Sequence, residues 1–150
     1  MERTLILLKP DALQRGLCGR IIARLEDRGL KLAGMKLMRM DMAVARKHYE
    51  AHVNRSFFVG LAEFMTSRPI VAIAVEGKNA VDVVRGTMGA TDPQKAAPGT
   101  VRGDFGIDIA RNLIHGSDSP EAAERELAIF FKPEELLSYE RETDRWIIES

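Results

Sequence analysis

Residues 112–131 read NLIHGSDSPEAAERELAIFF and hold the groups in this chain best suited to covalent chemistry. His115 closes a short apolar run, and Gly116 after it is expected to let the backbone turn and leave the ring accessible. An imidazole has an unperturbed pKa of about 6.5, so near neutral pH much of it is neutral and nucleophilic. On a wheel of about 100° per residue, Ala122, Ala123, Leu127, Ile129 and Phe130 share one arc. Glu126 falls near the centre of that arc, whereas Glu121, Glu124 and Arg125 point away. A carboxylate there is costly unless it is paired or hydrogen-bonded. Either an arginine pins it to hold the fold, or it orients a polar neighbour. His115 is the candidate nearest in sequence, and a carboxylate on one ring nitrogen would fix the tautomer and angle of the ring.

The helix that carries Glu126 starts at Asp118 or Ser119, with Pro120 suited to its first turn. Its free N–H groups favour anions. Arg85 flanks the apolar arc Ala80, Val81, Val84, Met88 of its own helix, Thr91 and Arg102 lie on a long loop, and Lys9 follows the first strand. Together they supply three cations and a hydroxyl able to hold phosphates. Each alone fits an ordinary surface ion pair equally well, and spacing does not bring them together.

Several other chemistries are excluded. No G-x-x-x-x-G-K-[ST] loop, no G-x-G-x-x-G after a strand and no G-x-S-x-G elbow occurs. His48 and His52 are four apart, but HYEAH lacks the glutamate of a zincin helix, and no Cys or third His stands near it in sequence to supply the remaining ligand. Both read as exposed helix histidines, and no protein-held metal is expected. The formal net charge of zero gives no bulk attraction to nucleic acid or a membrane surface. Of the 22 Lys and Arg residues 15 are arginine, the better bidentate partner for phosphate, although a solvated surface explains the skew as well. The lone Cys18 excludes an intrachain disulfide and suits a reducing compartment. The apolar stretch at residues 4–8 is too short for a signal peptide or membrane span. The protein is expected to be cytoplasmic.

The elements that must position these groups are read as follows. Residues 4–8 and 70–75 are continuous apolar runs, as for central strands covered on one or both faces. Residues 30–40 form a strand in which Gly34 suggests a bulge. Between the first two strands, Ile21, Ile22 and Leu25 mark a helix that stops at Arg28 and Gly29. Residues 43–53 and 57–66 make a helical hairpin, and Asn79 caps a helix that runs to Met88 and ends at Gly89. Residues 90–108 are a long loop of the kind that tends to be functional. A strand at 112–114 and a helix at 120–131 follow. The order predicts an α+β fold: a ferredoxin-like βαββαβ core, a mostly antiparallel four-stranded sheet with helices on one face, and the hairpin and loop as insertions. A doubly wound α/β sheet is the competitor. The chain is expected to be a single domain over residues 1–150, with 140–150 as a C-terminal tail.

NLIHGSDS followed by the glutamate of EREL closely resembles the active-site signature of nucleoside diphosphate kinases, N-x-[IV]-H-G-S-D-S. ERTLILLKPDALQRGL, HYEAH, FFVGL, IVAIAVEG, GATDPQKAAPGTVRGDFG and FFKPEEL resemble that family in the same order and spacing, so the likeness covers residues 2–139. It implies a ping-pong transfer, in which a nucleoside triphosphate, chiefly ATP, gives its γ-phosphate to His115 and a nucleoside diphosphate then takes it. His115 is expected to react through Nδ1, with Glu126 and Ser117 orienting it. Lys9 and Tyr49 would flank the transferring phosphate, Lys9 and Asn112 the sugar hydroxyls, and Arg85, Thr91 and Arg102 the β- and γ-phosphates. The base would pack on Phe57, Leu61 and Ile109, a tolerant mode because every base has a π-face. Mg²⁺ is expected to enter with the nucleotide and bridge its phosphates.

Departures from the family pattern are Ser56 before the paired phenylalanines, where proline is common, and Arg68 and Ala110, where glycine is common. None removes a catalytic group, and Ser56 makes nucleotide affinity the property most exposed to change. The resemblance also implies a homo-oligomer. The tail YERETDRWIIES is similar to the longer C-termini of hexameric members, so a hexamer is favoured over a tetramer, with Pro93 and Pro98 at a subunit contact. Trp146, Ile147 and Ile148 in that tail call for a partner surface on physical grounds too. A non-catalytic nucleotide sensor would use the same phosphate contacts, but would have no need of a nucleophile backed by a buried carboxylate. An interaction role for the oligomer surface is the third reading.

Overall fold

The structure, a computed structural model, describes residues 1–149. Strand β1 (Glu2–Leu8) leads through α1 (Pro10–Gln14) and α2 (Cys18–Asp27) to β2 (Lys31–Met38). The hairpin α3 (Met42–His48) and α4 (Phe58–Ser67) then returns the chain to β3 (Ile70–Gly77). After α5 (Ala80–Met88) comes the long loop, which contains the short helix α6 (Val101–Phe105). It ends at β4 (Ile114–Gly116) and α7 (Pro120–Phe130). The sheet order is β2-β3-β1-β4 and every pairing is antiparallel, as the ferredoxin-like reading requires and a doubly wound sheet does not allow.

The helices cover both faces of the sheet, not one. Ile6, Leu8, Ile73 and Val75 pack with Ile21, Leu25, Val84 and Met88 from α2 and α5. Leu5, Leu7, Ala72 and Ala74 pack with Phe58, Met65, Leu127 and Phe130 from α4 and α7. The unbroken apolar runs of β1 and β3 demand this, because a strand without a polar alternate has no solvent face. Each fully buried Leu or Ile contributes about 1.5–3 kcal/mol relative to exposure.

Local chemistry sets the ends of the elements. The β2 register shifts between Leu32 and Gly34, where a Cβ on Gly34 would stand 3.0 Å from Glu135 O and 3.2 Å from Phe131. The bulge therefore lets the chain after α7 cross against β2. Asn79 does not cap α5: it adopts φ 53° with no side-chain bond, and Glu2 Oε1 accepts the Val81 N–H at 2.8 Å instead. Ser119 is the α7 cap, its Oγ accepting from Ala122 N at 3.0 Å.

The last strand begins two residues later than its apolar run suggests. Leu113 is fully buried at φ 74°, and Ile114 N donates to Asn112 O at 2.8 Å, which closes a γ-turn. A non-glycine residue in that region costs on the order of 1–3 kcal/mol and persists only when its surroundings hold it. Here Leu113 N donates to Asp11 Oδ2 at 3.0 Å, and Lys9 N donates to Leu113 O at 2.9 Å. The C-terminal tail folds back on its own chain, with Arg141 donating to Gly29 O and Leu30 O and Ile147 lying over Gly29. Trp146 stays 79% exposed.

Candidate active site

His115 lies within β4, paired with Leu7 of β1, so strand pairing rather than a turn fixes its backbone. Gly116 is needed for close approach: a Cβ there would stand 2.5 Å from Met88 Sδ and 3.1 Å from Val84 Cγ1 of α5. That packing also brings Arg85 to β4, where Nη1 donates to Gly116 O at 3.4 Å.

Glu126 enters from α7 and is buried, as the helical wheel requires. His115 Nε2 lies 2.8 Å from its Oε1, and Ser117 Oγ donates to the same oxygen at 2.8 Å. Burial opposes its charge, but the hydrogen bond and charge of His115, the Ser117 hydroxyl and the His48 ring outweigh it and hold the carboxyl below its ordinary range. With Nε2 on a carboxylate, the proton belongs on Nε2 and the lone pair on Nδ1.

A cavity of about 430 Å³ opens in front of this pair. Of the residues singled out in the sequence, Lys9, Tyr49, Phe57, Leu61, Arg85, Thr91, Arg102, Asn112, His115 and Glu126 line it. Ser117 lies behind Glu126, and the half-exposed Ile109 is outside the cavity wall. The three cations that spacing could not unite therefore face one space.

Arg102 is buried and donates to Asn112 O at 3.2 Å, Gly89 O at 3.1 Å and Ile114 O at 2.6 Å. It thereby ties the long loop to the end of α5 and the γ-turn, and burial and then the Arg85 charge push it down to about 10. Asn112 donates to Thr91 O at 3.0 Å and accepts from Lys9 Nζ at 2.8 Å. Burial first, and then Arg102, pull Lys9 down to about 8, with Asp11 opposing. Burial and the Glu126 charge push the Tyr49 phenol above its ordinary range.

Lys9 gives the site a pH dependence. It is charged below about 8, and a phosphate beside it would raise its pKa, so binding above that pH must take up a proton. Affinity for a phosphate-bearing ligand is expected to fall above pH 8, by up to about tenfold per pH unit. Titration calorimetry in two buffers of different ionisation enthalpy should show the proton uptake, and Lys9→Met should remove it. A flat affinity from pH 7 to 10 would discard this role for Lys9.

Two contributors were misread or missed in the sequence. Asp11, which holds the γ-turn, lies about a hundred residues from it and had no local signal. His48 is not an exposed helix histidine: it is 5% exposed and stands edge-on to His115, ring centroids 4.8 Å apart at 87°. It also packs on Tyr49 and Phe130, and burial followed by the His115 charge brings it down to about 3. His52 is exposed and lies against Phe57.

The family model for nucleoside diphosphate kinase matches residues 2–136. A nucleoside diphosphate kinase of Chloroflexus aurantiacus is 60% identical, over 99% of this chain and 100% of its own length. That of Roseiflexus sp. is 57% identical over the same shares. Among solved structures, a halophilic nucleoside diphosphate kinase from Halobacterium salinarum in complex with CDP superposes with a TM-score of 0.96 at 51% identity, covering 99% of each chain. A nucleoside diphosphate kinase family protein from Babesia bovis gives 0.96 at 42% identity, covering 99% of this chain and 100% of its own. With the antiparallel sheet and the histidine–glutamate pair behind a cation-lined cavity, these likenesses make the chain a member of the nucleoside diphosphate kinase family.

Proposed function

We propose that this enzyme transfers the γ-phosphate of a nucleoside triphosphate to a nucleoside diphosphate through a phosphohistidine on His115 Nδ1. The observation that carries the reading is the Glu126 hydrogen bond to His115 Nε2, which leaves Nδ1 as the nitrogen free to react. In the forward half, the Nδ1 lone pair attacks the γ-phosphorus and the bond from phosphorus to the β–γ bridging oxygen breaks. The nucleoside diphosphate departs with those electrons. Because Nε2 keeps its proton, the ring gains positive charge as the N–P bond forms, and the Glu126 carboxylate is placed to stabilise it. A second nucleoside diphosphate reverses the step, so one site serves donor and acceptor in turn.

Lys9, Arg85 and Arg102 meet the negative charge of the β- and γ-phosphates, with Thr91 and Tyr49 beside them. Lys9 and Asn112 already share a hydrogen bond and lie where sugar hydroxyls could replace it. Phe57, 52% exposed, and Leu61 offer the base an apolar wall. The CDP bound by the Halobacterium salinarum relative supports a nucleotide as the ligand of this cavity. Mg²⁺ fits as a companion of the nucleotide rather than as a resident ion, since the phosphate-facing wall is cationic. Bound with the nucleotide, it would neutralise part of the phosphate charge.

The same reading places the enzyme in the cytoplasm, in a homo-oligomer with a hexamer favoured over a tetramer. No helix among the described residues is long and apolar enough to cross a membrane.

The test is to mix the protein with Mg²⁺ and γ-labelled ATP, quench, and look for label on the chain. Acid-labile label that maps to His115 and passes to GDP in a chase is the expected result. ATP binding with no label on His115 would leave a nucleotide sensor as the better reading.

A further inference from the structure

His48, His115 and Glu126 reach one another from α3, β4 and α7, and one ligand atom from each lies within 4.8 Å of the others. Neither ring nitrogen of the buried His48 has a hydrogen-bond partner among the described residues. Leaving buried polar atoms unpaired costs about 1–3 kcal/mol. Two histidines and one glutamate form a donor set used by open zinc centres, in which a fourth position is left to water or substrate. The cavity in front of His115 supplies that fourth position.

We propose that these three residues bind a borderline divalent metal of the Zn²⁺ class, and that the bound metal shuts the enzyme off. Lys9, Arg85, Arg102 and Arg125 line the same cavity and oppose any dication. That field selects against hard ions, which bind oxygen ligands by charge, and tolerates a metal with strong bonds to imidazole. Bonds of about 2.0–2.1 Å place tetrahedral ligand atoms roughly 3.4 Å apart. The 2.8 Å contact between His115 and Glu126 must therefore open, and His48 must close on the pair.

Inhibition follows whichever nitrogen of His115 takes the metal. Bound through Nδ1, the metal occupies the reacting lone pair. Bound through Nε2, it displaces the Glu126 hydrogen bond and moves the ring proton to Nδ1, which then has no lone pair to offer. Only this consequence rests on the phosphohistidine reading; metal binding does not.

Nucleotide-free protein dialysed against buffered Zn²⁺ should hold one equivalent per chain. Its absorption-edge spectrum should show two imidazoles and one carboxylate, with no sulfur. His48→Phe and His48→Gln should each weaken binding at least about tenfold, whereas Cys18→Ser combined with His52→Asn should not. Exchange by the wild type in Mg²⁺ should fall with added Zn²⁺ and recover with a chelator. His48→Phe, scored against its own metal-free rate, should need at least about ten times more Zn²⁺. No bound Zn²⁺, a sulfur ligand, or equal binding by both His48 variants overturns the site. One bound Zn²⁺ with undiminished exchange overturns the shut-off. A chain that binds Zn²⁺ as described but never takes label from ATP would sink the phosphohistidine reading and leave the metal site standing.

Discussion

His115→Ala is expected to lower exchange by at least about 10⁴-fold, or roughly 5 kcal/mol of transition-state stabilisation. On the proposed route the loss is this large because removing Nδ1 would remove the covalent intermediate, and the two nucleotides would never be bound together for direct transfer. Nucleotide affinity should change little, since Lys9, Arg85, Arg102, Phe57 and Leu61 reach the cavity independently of position 115. Steady-state exchange paired with an equilibrium titration separates the two. A variant that still exchanges at a tenth of the wild-type rate would move the nucleophile elsewhere.

Glu126→Ala should follow, with phosphohistidine formation slowed by about 10²–10⁴-fold, the upper end being the scale seen when a carboxylate that orients a catalytic histidine is replaced. Without the acceptor at Oε1, the ring proton can sit on either nitrogen and the cation formed on transfer loses its counter-charge. Glu126→Gln keeps an acceptor for Nε2 and Ser117 but not the charge, so it should fall between alanine and wild type. Rapid-quench measurement of label transfer distinguishes these effects from altered binding. Equal rates for Glu126→Gln and the wild type would reduce the carboxylate to a hydrogen-bonding role.

The same residue links activity to stability. Its carboxyl titrates below its ordinary value, so its charge stabilises the fold fully above the unfolded pKa of about 4.3 and loses that effect as pH falls through the lower folded value.

What was readable from the sequence were features carried by one segment. The runs of β1 and β3, the bulge near Gly34 and the position of Glu126 on its helix each follow from neighbouring residues. The residues themselves offered Lys9, Arg85, Thr91, Arg102, His115 and Glu126, the likeness to the family added Tyr49, Phe57, Leu61 and Asn112, and the structure brings these together while leaving Ser117 and Ile109 outside the cavity wall. Readings failed where a distant residue decides. Glu2 outcompetes Asn79 as the cap of α5 because β1 delivers its carboxylate to the helix end. The end of the apolar run at 112–113 bends into a γ-turn because Asp11 and the Lys9 backbone hold it there. His48 looked like a polar residue on a short helix, and only the approach of β4 and α7 makes its surroundings dry.

The place of β1 in the sheet has a consequence for how the protein is made. β1 precedes the other strands of the sheet in the chain, yet its partners are β3, ending at Gly77, and β4, ending at Gly116. At about 5–20 residues per second, synthesis of that interval lasts roughly 5–20 seconds. Throughout it the LILL segment has no native strand on its β4 side and must be shielded by transient contacts or by a chaperone. Lys9 and His115 arrive at opposite ends of the same wait, so a nascent chain has no partial activity. Competence requires β4 to close that edge of the sheet and then α7 to bring Glu126 to His115.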